Sequence, residues 1–230
     1  LVNAGGEAIS VATRERRLRA QWTLEDAGLS VASLPGDVLA ISSPRVFLRD
    51  AVLEAARRSV TNTVPVLTYL ANLLECGTNA TPYSMVTAAG PPYTSGTLRD
   101  NEILLSPWLA EDLSARIGDT IRMSFFLPDA GARLQEATNE FRVAGIAPRD
   151  SVHLDRTLMP RFPGIEEAER TQDWDAGFPL KYKIRDKDED YWERHRGTPK
   201  AFVSLAAGQR IWANRFWNLT SIRVAAPGLA

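Results

Sequence analysis

Glu102-Ile-Leu-Leu-Ser-Pro-Trp-Leu-Ala-Glu-Asp-Leu-Ser-Ala-Arg-Ile-Gly-Asp-Thr-Ile-Arg-Met123 is the best-punctuated stretch of the chain. Ile103, Leu104 and Leu105 make a short apolar run suited to a buried strand. Ser106 follows in the position of a helix N-cap, and Pro107 fits the first helical turn, where a missing N–H costs nothing. Leu109, Leu113 and Ile117 recur at intervals of four, Glu111 and Asp112 lie toward the positive end of the helix dipole, and Gly118 is placed to close the helix. Asp119 opens a turn into a strand over residues 120–127. After the Asp129-Ala130-Gly131 loop, residues 140–146 supply the returning strand. The spacing therefore predicts a strand, a helix and a hairpin in one unit.

On the C-terminal side, periodicity fades over residues 149–197, where Pro160, Pro163, Pro179 and charged residues predominate. So long a connection is expected to be functional or wrapped over a core. Trp174, Trp192 and Trp212 favour wrapping, because such rings contribute large buried areas. Residues 201–205 and 221–224 read as strands, with a helical turn over 206–212 between them. On the N-terminal side, Tyr83 to Ala88 and Val64 to Leu70 are β-branched and aromatic runs. They are expected to pair as antiparallel neighbours across a polar loop at residues 77–82. Residues 47–58 read as a short amphipathic helix. Residues 29–34 and 38–42 read as a hairpin closed by Pro35-Gly36-Asp37. Residues 7–27 read as a helix ending at Gly28, with Ile9, Ala12, Leu18, Trp22 and Leu24 at helical spacing. Arg14, Glu15, Arg16, Arg17 and Arg19 lie on its other faces, for solvent or for lipid headgroups.

The 230 residues carry 27 basic and 28 acidic side chains and are 44% hydrophobic, a globular composition without the positive field that attracts nucleic acid. No run reaches the ~18 apolar residues that span a bilayer. Cys76 is the one cysteine and cannot form an internal disulfide. The residues point to no cofactor and no metal. His153 and His195 are the two histidines, set apart in irregular sequence. Asp186-x-Asp188-x-Asp190 begins like a calcium loop but has Tyr191 where the sharp turn needs glycine, and Gly197 where a bidentate glutamate is needed. It reads as a solvated acidic turn. Nucleophile-elbow, P-loop and dinucleotide-fold signatures are absent. A chain with no chemistry of its own is the leading expectation. The alternatives are a secreted hydrolase with a site assembled in space around His153 or His195, and a free-standing binding module.

The Glu102 to Met123 stretch, continued by Phe141-Arg-Val-Ala-Gly-Ile146, resembles the periplasmic core domain of MacB/FtsX-like ABC transporter permeases. Tyr69-Leu-Ala-Asn72 with Pro82-Tyr-Ser-Met-Val86 resembles a large-ectodomain branch of that family. So does Tyr191-Trp-Glu-Arg-His-Arg-Gly-Thr-Pro-Lys-Ala-Phe202 with Trp212-Ala-Asn-Arg-Phe216. The resemblance implies an α+β, two-lobed mixed α/β ectodomain. Residues 1–95 with 218–230 would form a porter-like lobe, and residues 96–217 an inserted β-rich, Sabre-like lobe. It further implies a place on the periplasmic face of the cytoplasmic membrane, flanking transmembrane helices, and ATP bound by a separate subunit or domain. The expected role is mechanotransmission to a substrate or periplasmic partner. Trp174, Trp192, Arg194 and Lys200 are the candidate contact residues, forming an exposed edge of the irregular segment.

Overall fold

The computed structural model describes residues 10–128, 134–175, 177, 180–212 and 218–225, with the side chains of 18 and 19 left aside. The first residues of the 7–27 helix, the 129–131 loop, Pro179 and the Asn-Arg-Phe stretch at 214–216 lie outside this set.

The fold is α+β, and its strands form one nine-stranded sheet. Strands β1 (Ser30–Leu34) and β2 (Val38–Ser42) form the predicted hairpin, with Gly36 and Asp37 both at positive φ in the connection. Next come helix α2 (Asp50–Ser59) and two long strands, β3 (Thr63–Cys76) and β4 (Asn79–Ala89). β3 and β4 pair antiparallel as expected. The connection, however, is a two-residue turn, because Cys76 already faces Asn79. Gly77, at φ +58, supplies the left-handed conformation that the turn needs. The polar residues of 79–82, expected in a loop, therefore continue the strand.

The Glu102 unit follows: β5 (Glu102–Leu105), α3 (Pro107–Leu113), β6 (Thr120–Pro128) and β7 (Leu134–Ile146). Ser106 caps α3 as predicted, its hydroxyl accepting from the Leu109 N–H at 3.2 Å. The helix stops a turn early. Ser114 takes a left-handed conformation and leaves Ile117, predicted to be apolar-facing, 69% exposed. β7 begins at Leu134, well before residue 140, because residues 134–142 pair with the whole of β6. Helix α4 (Asp186–His195) lies in the segment expected to be irregular. It is followed by β8 (Ala201–Val203), α5 (Leu205–Trp212) and β9 (Ser221–Ala225).

The strand order β1-β2-β9-β3-β4-β8-β5-β7-β6 closes on itself through a β3–β6 pairing. β3 makes both arrangements possible. Its first half pairs with β9 at Thr63–Val66, and its second half pairs with β6 beyond a register shift at Asn72. An irregularity of this kind bends a strand and turns a sheet toward closure. β3, β4, β8, β5, β7 and β6 thus make a six-stranded barrel, and β1, β2 and β9 extend from it as a wing. The lobe boundary expected at residues 95/96 separates strands that share this one sheet: β4 pairs with β8, and β3 with β6.

The six barrel strands share one apolar core around Leu67, Leu74, Ile103, Ile121, Phe141 and Val203. Helices α3 and α5 complete it through Leu109, Leu113 and Trp212. α5 approaches β4 so closely that a Cβ on Gly208 would lie 2.1 Å from that of Ala88. The opposite faces of β3 and β4 carry Leu70, Tyr83 and Met85, which residues 159–192 cover with Ile165, Trp174 and Trp192. Coverage on both faces explains why these two strands read as near-continuous apolar runs. Helix α2 covers one face of the wing through Leu53 and Ala56 against Ile222 and Val224. Helix α1 (Val11–Gln21) buries none of its described side chains; of the apolar positions predicted for this segment, Ala12, Trp22 and Leu24 are exposed, and Ile9 and the Leu18 side chain lie outside the described set. Among the described residues, no helix is long and apolar enough to cross a membrane.

Candidate functional site

Helix α4 gathers most of the residues singled out from the sequence. Its first turn carries Asp186, Asp188 and Glu189 and its last Arg194 and His195, the charge order that suits the helix dipole. Asp188 accepts from the backbone N–H of Arg185 at 3.0 Å, tying the helix start. The acidic run is thus a helix terminus and not a solvated turn, and Asp188 is interior, bonded to Arg185 at 2.6 and 2.7 Å. Glu189 accepts from the backbone N–H groups of Thr171 and Gln172 and from the Thr171 hydroxyl. It thereby caps the short 3-10 turn Thr171–Asp173 and fastens the covering segment to α4.

Arg185 also reaches across to Asp112 on α3 at 2.7 Å and to the Ala80 carbonyl at 2.8 Å. Desolvation pushes the Asp112 carboxyl up, but Lys187, Thr81 and Arg185 more than offset it and hold it below the usual range. Lys200 completes the group at the start of β8. Its backbone bonds the Met85 carbonyl and the Ser106 N–H, both at 2.8 Å. Its ammonium lies 3.9 Å from Asp188 and over the rings of Trp108 and Tyr191, at 4.4 and 4.7 Å from their centroids. Burial brings its pKa down to about 8, with Asp188 and Asp112 opposing the shift. Trp174 packs edge-to-face on Trp192 at 4.9 Å, and both line a cavity of about 20 Å³ with Tyr191, Asp188 and Lys200. That is room for about one water molecule.

The structure thus brings three of the four expected contact residues together, but inside. Trp174 is 8% exposed, Trp192 4% and Lys200 4%, so they form no exposed edge. Arg194 alone is on the surface, 3.9 Å from Asp190.

Neither histidine is arranged as a catalytic base. His153 is buried edge-on to Phe202. Its Nδ1 lies 2.7 Å from Asp150, and its Nε2 lies 3.0 Å from the Tyr93 carbonyl, where a triad would place a nucleophile. His195 packs against Tyr191 with the two rings tilted, their centroids 4.9 Å apart. Desolvation and the nearby Arg156, Arg194 and Arg149 disfavour its charged form.

A larger concavity than that small cavity is on the far side of Trp192. A cleft of about 410 Å³ lies between the wing and the covering segment, with Trp192 as the wall it shares with the small cavity. Ala32, Leu34, Ala40, Ser42, Ser221 and Arg223 face it from three successive strands. Arg223 was not among the residues expected to matter. The signal for it is present in Ser221-Ile-Arg-Val224, whose alternation puts a serine and an arginine on one face and two apolar residues on the other.

No family model and no curated protein matches the chain. Among solved structures, the periplasmic region of MacB from Actinobacillus actinomycetemcomitans is similar to it. The TM-score is 0.47 at 10% sequence identity, covering 86% of this chain and 78% of that one. A likeness at this level assigns no residue a role.

Proposed function

We propose that this chain is an extracytoplasmic domain of an ABC transporter permease of the MacB/FtsX-like type. It performs no chemistry of its own and couples ATP-driven motion of transmembrane helices to a substrate or partner outside the cytoplasmic membrane. The supporting observation is the Glu102 unit. The stretch that carries the family resemblance folds as strand, capped helix and hairpin, and is joined edge to edge with β3. On this reading the wing with α2 belongs to the porter-like lobe and residues 96–217 to the inserted one. β3 runs between them as a 14-residue strand, paired with β9 at one end and β6 at the other. A strand bonded in this way is stiff along its length, so a displacement of the wing reaches the barrel without a flexible joint. ATP is bound by a separate subunit or domain.

The test uses the full-length gene product in bacterial membranes, with Cys76→Ser as background and Arg194→Cys as reporter. A membrane-impermeant maleimide is expected to label Arg194→Cys in intact spheroplasts, and an ATP-binding subunit to co-purify. Labelling only after lysis, or a reading frame without hydrophobic spans, overturns the proposal.

A further inference from the structure

The cleft beneath the wing has an unusual floor. Arg223 projects from β9, the wing strand next to β3, and is 3% exposed, beside the small residues Ala40 and Ser42 of β2. Its Nη2 donates to the Thr157 carbonyl at 2.7 Å, and the Asp155 carboxylate lies 3.9 Å away. Among the described residues its Nε and Nη1 have no hydrogen-bond acceptor, and the buried hydroxyl of Ser221, two residues earlier on the same face, has no partner. An unsatisfied buried donor is costly, and on a charged guanidinium more so, because the one carboxylate beside it stands off at 3.9 Å and leaves Nε and Nη1 unmet. Three further arginines, Arg156, Arg161 and Arg196, line the same cleft, with Glu166 3.8 Å from Arg161. Leu34, Leu158, Met159, Pro160 and the Trp192 ring supply apolar wall, interrupted by Ser43, Thr157 and Thr220. The volume falls in the range of small-molecule sites.

We propose that this cleft binds an amphiphile through its oxyanion head, a phosphate or carboxylate carried on an apolar chain. The head meets the arginine-rich floor, where charge-assisted hydrogen bonds compensate the desolvated guanidinium. The chain lies along the Leu34, Met159 and Trp192 wall. The site stands on the cleft's own chemistry and does not depend on the transporter reading.

Calorimetry on the 230-residue chain with four probes tests it: decyl phosphate, inorganic phosphate, decanol and decyltrimethylammonium. One decyl phosphate is expected to bind per chain, about tenfold or more tighter than inorganic phosphate, with no saturable binding of the neutral or cationic chain. Tight binding of inorganic phosphate alone would show a free anion as the ligand and overturn the amphiphile. Equal binding of decanol or the cation would overturn the oxyanion. Ser221→Ala separates ligand binding from folding. Removing an unpartnered hydroxyl is expected to raise the melting temperature of the free protein while weakening decyl phosphate by about tenfold. Arg223→Met is expected to abolish binding. Should it fail to fold, Ala40→Leu, which fills the cleft from a neighbouring strand, gives the same result. Unchanged affinity in Ser221→Ala and Ala40→Leu sinks the site.

Discussion

Around Leu109 the barrel is held by apolar side chains from six strands and two helices. Around Lys200 the segment that wraps the barrel is held by carboxylates, guanidiniums and aromatic rings. Both regions are buried, yet they respond to opposite perturbations. The barrel core is vulnerable to lost volume. The wrapped segment is vulnerable to a lost carboxylate, because removing the shared anion of a buried ionic group leaves its cations without compensation.

The strongest way to break this comparison is Asp188→Ala, which leaves Arg185 and Lys200 without their shared carboxylate. It is expected to cost about 3–5 kcal/mol, as much as a large cavity in the barrel core, measured by chemical denaturation. A cost below that of a surface substitution would show the wrapped segment to be held by its rings alone. A somewhat smaller effect is expected from pH. Lys200 has a folded pKa of about 8 against an ordinary value of 10.5, so the unfolded chain binds more protons between those values. Its burial therefore destabilises the fold fully below pH 8, and the penalty is relieved as pH rises toward 10. Lys200→Met is expected to be more stable than the parent near pH 7, by up to roughly 3 kcal/mol, with the advantage shrinking at higher pH. Parallel stability curves for the two proteins would remove the lysine from the account. The smallest effect sharpens the barrel side. Ser106→Ala removes the α3 cap and is expected to cost about 1 kcal/mol without altering the pH profile.

The same division governs what the sequence discloses. Pro35-Gly36-Asp37, the pairing of the Val64 and Tyr83 runs, and the Ser106-Pro107 cap are all local signals, and each appears in the structure. Helix α4 is not legible, because its inward positions include Asp188 beside Tyr191 and Trp192, so no apolar stripe marks it. Beyond the local Asp188–Arg185 bond, its first turn is held by bonds to Thr171, Ala80 and Asp112, residues well outside the helix in the chain. The cleft is hidden for a related reason. Its floor brings Ala40 beside Arg223, and only strand pairing could place them together. The tryptophans were legible as candidates for burial by their size, but not as the wall between two cavities.

The two-sided pairing of β3 has a consequence for hydrogen exchange. β4 shields one edge of the strand nearly throughout, while β9 and β6 share the other. A fluctuation that lifts the wing frees only the amides bonded to β9, and one that opens the barrel seam frees only those bonded to β6. Amides of β3 directed at β4 exchange through neither event. They require cooperative loss of the whole sheet, and so they are the slowest clock in the molecule and report its global stability.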